Sequence, residues 1–138
     1  MLTFAGIFGI LLSVWLAHRL TIGRERTKAA RDACLKLRSA FSETQATLSN
    51  GAVDAHAIVS KFGTQNDTAI VEFRHYVSRW KRKRFDAACE KYRRCCQEIK
   101  PGLLQFYEAQ ATGKPIDSSS TQKLIEAINA LLEFADKI

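Results

Sequence analysis

Residues 1–18 read MLTFAGIFGILLSVWLAH and contain no Asp, Glu, Lys or Arg. The apolar run continues to Ile22 if Arg19 extends its charge toward water, giving about 20 residues, the length with which an α-helix crosses hydrocarbon. Trp15 lies near its end, where an amphipathic ring favours the membrane interface. We therefore predict a single transmembrane helix over residues 1–22.

The flanking charges predict the orientation of this helix. A cleavable signal peptide would carry positive charge before the apolar run and small residues at a cleavage site after it, and neither is present. A buried core helix of a soluble protein is the other alternative. The run is instead followed by basic residues, namely Arg19, Arg24, Arg26, Lys28 and Arg31. Because positive residues resist translocation, we expect a signal-anchor with its N-terminus outside and residues 23–138 in the cytoplasm.

Small side chains recur every four residues inside the predicted anchor. This small-residue stripe consists of Ala5, Gly9, Ser13 and Ala17. In lipid, such a stripe lets two helices approach closely and gain packing contacts. The stripe predicts packing against a partner helix or a second copy of the chain.

The cytoplasmic part is predicted to be all-α, because its apolar residues recur at helical rather than alternating spacing. We expect a helical domain over residues 23–138, a four- or five-helix bundle whose first helix continues the anchor. Gly63 and the polar residues 64–67 predict a break between two short helices. The expected helical segments are 24–49, 52–62, 69–78, 80–99, 103–107 and 119–135.

The formal net charge of +7 is concentrated in two segments. Residues 19–38 carry seven basic and two acidic side chains, which the expected topology explains. Residues 74–94 carry nine basic and two acidic side chains, and the topology does not explain them. Their centre, residues 79–84 with the sequence RWKRKR, is called the basic segment below.

Three interpretations of the basic segment are open. It can contact anionic lipid headgroups or an acidic partner, bind nucleic-acid phosphates, or form a solvated helix face. Trp80, within it, is expected in the core rather than as a platform for base stacking. The candidate residues for contact with lipid or another anion are Arg79, Lys81, Arg82, Lys83 and Arg84.

The sequence favours no catalytic or metal site. Phosphate-binding loops, dinucleotide fingerprints, zinc-protease motifs and nucleophile elbows are absent from it. Cys89 and Cys96 share an apolar face, so we expect them in the core as reduced thiols. Cys95 is expected to point between Arg93 and Arg94, where a thiol would be most reactive. We expect no cofactor, no metal, no small-molecule substrate and no enzymatic activity.

Residues 34–41 (CLKLRSAF), 71–77 (VEFRHYV) and 83–92 (KRFDAACEKY) resemble a loose group of short, uncharacterised bacterial membrane-anchored helical proteins. The resemblance covers roughly residues 30–95 and part of the last helix. It implies a bacterial inner-membrane location. An aromatic often stands at the position of Cys89 in that group, which implies a packing role for this side chain. The group has no known activity, so no functional residue carries over.

These observations lead to one expected function and two alternatives. We expect a single-pass protein of the bacterial inner (plasma) membrane that acts by protein–protein interaction, with membrane lipid and a protein partner or second copy as contacts. The first alternative is a membrane-tethered nucleic-acid-binding protein. The remote alternative is an enzyme of unknown type.

Overall fold

The structure, a computed structural model, describes residues 4–50, 54–113 and 119–136. Within these ranges the chain forms five α-helices and no strand, so the all-α prediction is confirmed. The helices are α1 Phe4–Ser49, α2 Ala55–Arg74, α3 Arg79–Glu98, α4 Gly102–Thr112 and α5 Ser119–Ala135.

Helix α1 is a continuous helix of 46 residues with two different environments. Every described side chain from Gly6 to Lys28 is exposed, including those of the apolar run. From Ala33 onward, the helix buries one side against the other helices, with Leu37 and Phe41 fully covered. Among the described residues, α1 is the one helix long and apolar enough to cross a membrane. The prediction that the apolar run and the first helix of the bundle form one continuous helix is confirmed.

Helices α1, α2, α3 and α5 enclose the core, and in this order each runs antiparallel to the one before it. Helix α1 packs against α2 and α5, and α3 packs against α5 and α2. Aromatic rings meet edge to face where the helices cross, with centroids 5.2 Å apart for Phe41 and Tyr92 and 5.4 Å apart for Phe85 and Phe134. Such ring contacts add specificity to the apolar burial that stabilises the bundle.

The bundle has two distinct ends. The near end lies closest to the exposed apolar part of α1, and it contains the turn 75–78 and the end of α5, where Asp136 pairs with Arg38. The far end contains the start of α2, whose N-cap Asp54 accepts from the backbone N–H of Gly102 at 2.9 Å. Helix α3 therefore starts at the near end, and α4 starts at the far end.

The predicted break around Gly63 is wrong. Helix α2 passes through Gly63 and residues 64–67 without interruption. Asn66, one of the residues of the predicted break, lies buried inside the helix, and its side-chain amide donates to Thr44 Oγ1 at 3.0 Å and to the hydroxyl of Tyr92 at 3.2 Å. These bonds satisfy a polar side chain that would otherwise disfavour the helix interior.

Candidate functional site

The basic segment lies at the near end because a tight turn separates α2 from α3. The backbone N–H of Tyr76 donates to the carbonyl of Phe73 at 2.9 Å, and that of Val77 donates to Arg74. Val77 is buried and fixes the turn to the core. The carbonyl of Ser78 then accepts the first backbone bonds of α3, at 3.0 Å, so the basic segment forms its first turns.

The height of this turn along α1 can be read from its neighbours. His75 and Tyr76 line a shallow groove together with Thr27 and Arg31 of α1. The α1 residues that line this groove run from Arg26 to Arg38, so they follow Ile22 by about 6 to 24 Å at 1.5 Å of helix rise per residue. The start of α3 is therefore held at the near end, within about 24 Å of the end of the apolar run along α1.

The five predicted contact residues do not share one environment. Arg82 is half-buried, and its Nη2 donates to the carbonyl of Val77 at 3.4 Å, so this side chain supports the turn. Arg79, Lys83 and Arg84 are exposed and form no ion pair with any residue in the described ranges. Lys81 is exposed as well. The outward-facing charge of the segment thus comes from four of the five residues.

The other arginines of residues 74–94 have acidic partners. Arg74 donates to both carboxylate oxygens of Asp86, at 2.7 and 2.9 Å, and this contact lowers the pKa of Asp86. Arg93 pairs with Asp67 at 3.5 Å. Arg94 lies 3.9 Å from Glu90, one turn earlier. Among the described arginines of residues 74–94, the exposed ones without an ion pair are therefore Arg79 and Arg84, in the first turns of α3.

Trp80 is exposed over 95% of its surface, so its expected place in the core is wrong. Phe85 occupies the core position of this part of α3. A step of five residues from Phe85 rotates Trp80 by about 140° around the helix, away from the core. The helical spacing could have revealed this, had it been applied instead of the general preference of tryptophan for interiors.

Cys89, Cys95 and Cys96 pack against the bundle, and the expected orientation of Cys95 is wrong. Cys89 is buried, as expected. Cys95 does not point between the arginines: it is 8% exposed, and its Sγ lies 3.8 Å from the carbonyl of Lys123 in α5. Cys96 is half-buried. Burial raises the pKa of both Cys89 and Cys96 to about 11, which disfavours the reactive thiolate at neutral pH.

The small-residue stripe lies on the exposed part of α1. Gly9, Ser13 and Ala17 are solvent-accessible, and the Ser13 hydroxyl donates to the carbonyls of Gly9 and Ile10 within its own helix, at 2.8 and 2.9 Å. The Ser13 hydroxyl therefore needs no partner in an apolar surrounding. The side chain of Ala5 lies outside the described residues.

Sequence reasoning missed the surface of α4. None of its residues, all of which the structure describes, is buried. The exposed large side chains are Leu103, Leu104, Phe106 and Tyr107. These four residues lie on one side of α4 over an arc of about 160°, so their spacing alone does not distinguish an exposed apolar side from one packed in the core.

The comparisons with known proteins add no family assignment. No protein-family model matches the chain, and neither a curated protein nor a solved structure matches it. Among the described residues, no group of three His, Cys, Asp or Glu side chains is placed to hold a metal ion. The candidate site therefore rests on geometry and charge alone.

Proposed function

We propose that this chain is a single-pass membrane protein whose helical bundle stands at the cytoplasmic face of the membrane and acts by protein–protein interaction. One observation carries the proposal: α1 is a single helix that is apolar and exposed in its first part and packed into the bundle in its last part. An exposed apolar helix surface of this length is costly in water and favourable in lipid.

The charge distribution supports the orientation. Residues 19–38 carry seven basic and two acidic side chains directly after the apolar run. Because such a flank stays on the cytoplasmic side, we propose an outside N-terminus and a cytoplasmic bundle. The same end presents the outward charges of the basic segment toward a leaflet that is rich in anionic lipid. The resemblance noted above supports placing the protein in a bacterial inner membrane.

The surface of α4 supports an interaction with another protein. Its exposed leucines and aromatics form an apolar surface at the far end, opposite to the anchor. Its one charged residue, Glu108, is paired with Lys100 at 2.7 Å, so the surface presents little free charge. An uncharged apolar surface remote from lipid suits a cytoplasmic protein partner with an apolar groove.

A fractionation and topology experiment tests the membrane proposal. The full chain would carry a C-terminal reporter that is active only in the cytoplasm, beside a control that lacks residues 1–22. We expect a carbonate-resistant membrane pellet with an active reporter, and loss of pelleting in the control. Release of the full chain by carbonate, or an inactive reporter on membrane-bound protein, would contradict the anchor or its orientation respectively.

The exposure of Trp80 favours a second candidate, a membrane-tethered nucleic-acid-binding protein. An aromatic ring beside Lys83 and Arg84 resembles the stacking platforms of single-strand binders. This function predicts that affinity for an oligonucleotide falls steeply with salt concentration. It also requires tighter binding to the oligonucleotide than to vesicles of equal negative charge, and equal or weaker binding would reject it.

A further inference from the structure

Trp80 is the most exposed of the large apolar side chains in the described chain, at 95%. It lies on the first turn of α3, at the near end. Because it is not buried in the bundle, packing does not explain why a tryptophan occupies this position. Tryptophan is enriched where one side of a side chain meets an apolar phase and the other meets water, which is the environment of a membrane interface.

Positive charge surrounds this indole. Lys83 and Arg84 follow Trp80 by three and four residues, so the three side chains lie on one face of α3. Neither basic residue has an acidic partner in the described part of the chain. An anionic bilayer has negatively charged headgroups above an apolar interior. Unpaired cations complement the headgroups, and an exposed aromatic ring between them complements the apolar region below.

The direction of α3 aims this face at the membrane. Side chains of an α-helix lean toward its N-terminus, and the N-terminus of α3 lies at the near end. The adjacent turn lies beside α1 residues that are about 6 to 24 Å beyond Ile22. The headgroup layer fills about 5 to 8 Å of that distance, and the contact requires long side chains and a tilt of α1 to bridge the remainder.

We propose that Trp80 is an interfacial anchor, which inserts among the headgroups of anionic lipid and, with Lys83 and Arg84, fixes the near end of the bundle to the bilayer. This inference rests on the proposed membrane insertion of α1. Insertion of α1 also favours the contact between Trp80 and lipid, because α1 holds the indole beside the membrane surface and raises its effective concentration there.

The chain has two tryptophans, so the insertion of α1 and the contact of Trp80 with lipid can be tested separately. The full-length protein would be reconstituted in bilayers with and without anionic lipid, using Trp15→Phe, which leaves only Trp80, and Trp80→Phe, which leaves only Trp15. Lipids with a quencher near the headgroup or deep in the acyl chain would then report the depth of each indole by loss of fluorescence.

We expect the fluorescence of Trp80 to shift to shorter wavelength and to be lost with the shallow quencher, in anionic bilayers only. Trp15 should be quenched in both types of bilayer, because it reports insertion of α1. Quenching of Trp15 with none of Trp80 would overturn the Trp80 anchor and leave the membrane protein in place. Absence of quenching at Trp15 would overturn the insertion of α1, and the Trp80 anchor with it.

Two further variants test the specificity of the contact. Lys83→Glu with Arg84→Glu, in the Trp15→Phe chain, should abolish the quenching of Trp80. As a matched control, Phe106→Trp in a chain without Trp15 and Trp80 places an exposed indole at the far end, where no quenching is expected. If this control is quenched equally, or if Trp80 responds to a single-stranded oligonucleotide and not to anionic lipid, the proposal is wrong.

Discussion

Asn66 links three helices through one buried amide. Its Nδ2 donates to Thr44 in α1 and to Tyr92 in α3, and its residue is 1% exposed. Buried polar groups of this kind stabilise a fold only while every partner is present. The position of Asn66 therefore defines how α2 is set against its two neighbours.

Replacing Asn66 by Ala should lower the free energy of unfolding by about 1 to 3 kcal/mol, because Thr44 and Tyr92 lose a buried partner. Urea denaturation of the full chain in detergent micelles, followed by circular dichroism, measures the change. Thr68→Ala in the same helix is the control: its exposed hydroxyl bonds only to the carbonyl of Thr64, so about 0.5 kcal/mol or less is expected. Equal losses in both variants would show that the amide adds no stability of its own.

Cys89 should react with alkylating reagents only at high pH. Burial raises the pKa of its thiol to about 11. Its thiolate fraction therefore still rises between pH 8 and pH 10, whereas the thiolate fraction of an exposed cysteine levels off above the ordinary thiol pKa. We expect the alkylation rate of Cys89 to increase about tenfold per pH unit over this range, in proportion to the thiolate. Mass spectrometry of the modified peptides measures the rate, with guanidinium-unfolded protein as the control. A plateau below pH 9.5 in the folded protein would contradict the expectation.

At the scale of the helices, the sequence predicted most elements but divided α2 into two helices. The continuity of α1, and the helices near residues 80–99 and 119–135, follow from apolar spacing that needs no tertiary information. The continuity of α2 does not, because Gly63 and Asn66 are both poor helix residues locally. The bonds from Asn66 to two other helices overcome that preference, and spacing along one helix cannot reveal them.

Gly63 and Gly113 should respond to the same substitution with opposite signs. A Cβ built on Gly63 meets nothing within 4 Å, and the residue has helical geometry, so Gly63→Ala should stabilise the protein by about 0.5 to 1 kcal/mol. Gly113 ends α4 with a φ of 68°, so Gly113→Ala should be destabilising by about 1 kcal/mol or more.

Urea midpoints of the two variants, compared with the parent chain in the same detergent, test this pair. Destabilisation by Gly63→Ala would mean that α2 needs the flexibility of glycine at this point. An unchanged midpoint for Gly113→Ala would mean that α4 unfolds independently of the bundle.

The candidate site was predictable in composition and only partly in arrangement. The charges of residues 79–84 and the i,i+4 pair of Glu90 with Arg94 are visible in the sequence, but the acidic partners of Arg74 and Arg93 come from neighbouring helices. Similarly, Cys95 faces α5, because a helix packed on two sides buries a wider arc than a single apolar stripe suggests. The location of the site toward the apolar run of α1 follows from the antiparallel order of the helices, which requires the fold.

For the whole molecule, we expect the bundle to keep its stability without the anchor. Every described side chain from Gly6 to Lys28 is exposed, so removing residues 1–22 takes no described contact from the core. The fragment 23–138 should unfold cooperatively, with a urea midpoint close to that of the full chain in micelles. Loss of cooperative unfolding would mean that the apolar segment packs against the bundle.

The absence of any break in α1 has a mechanical consequence. Helix α1 extends about 40 Å beyond Ile22, so under the proposed insertion it would act as a rigid lever that tilts about a point in the bilayer. A tilt of about 20°, common for transmembrane helices, displaces the far end sideways by about 14 Å. Changes in bilayer thickness would thereby alter the tilt of α1 and displace the α4 surface sideways in the cytoplasm. Attachment of the start of α3 to the bilayer would restrict α1 to one tilt angle.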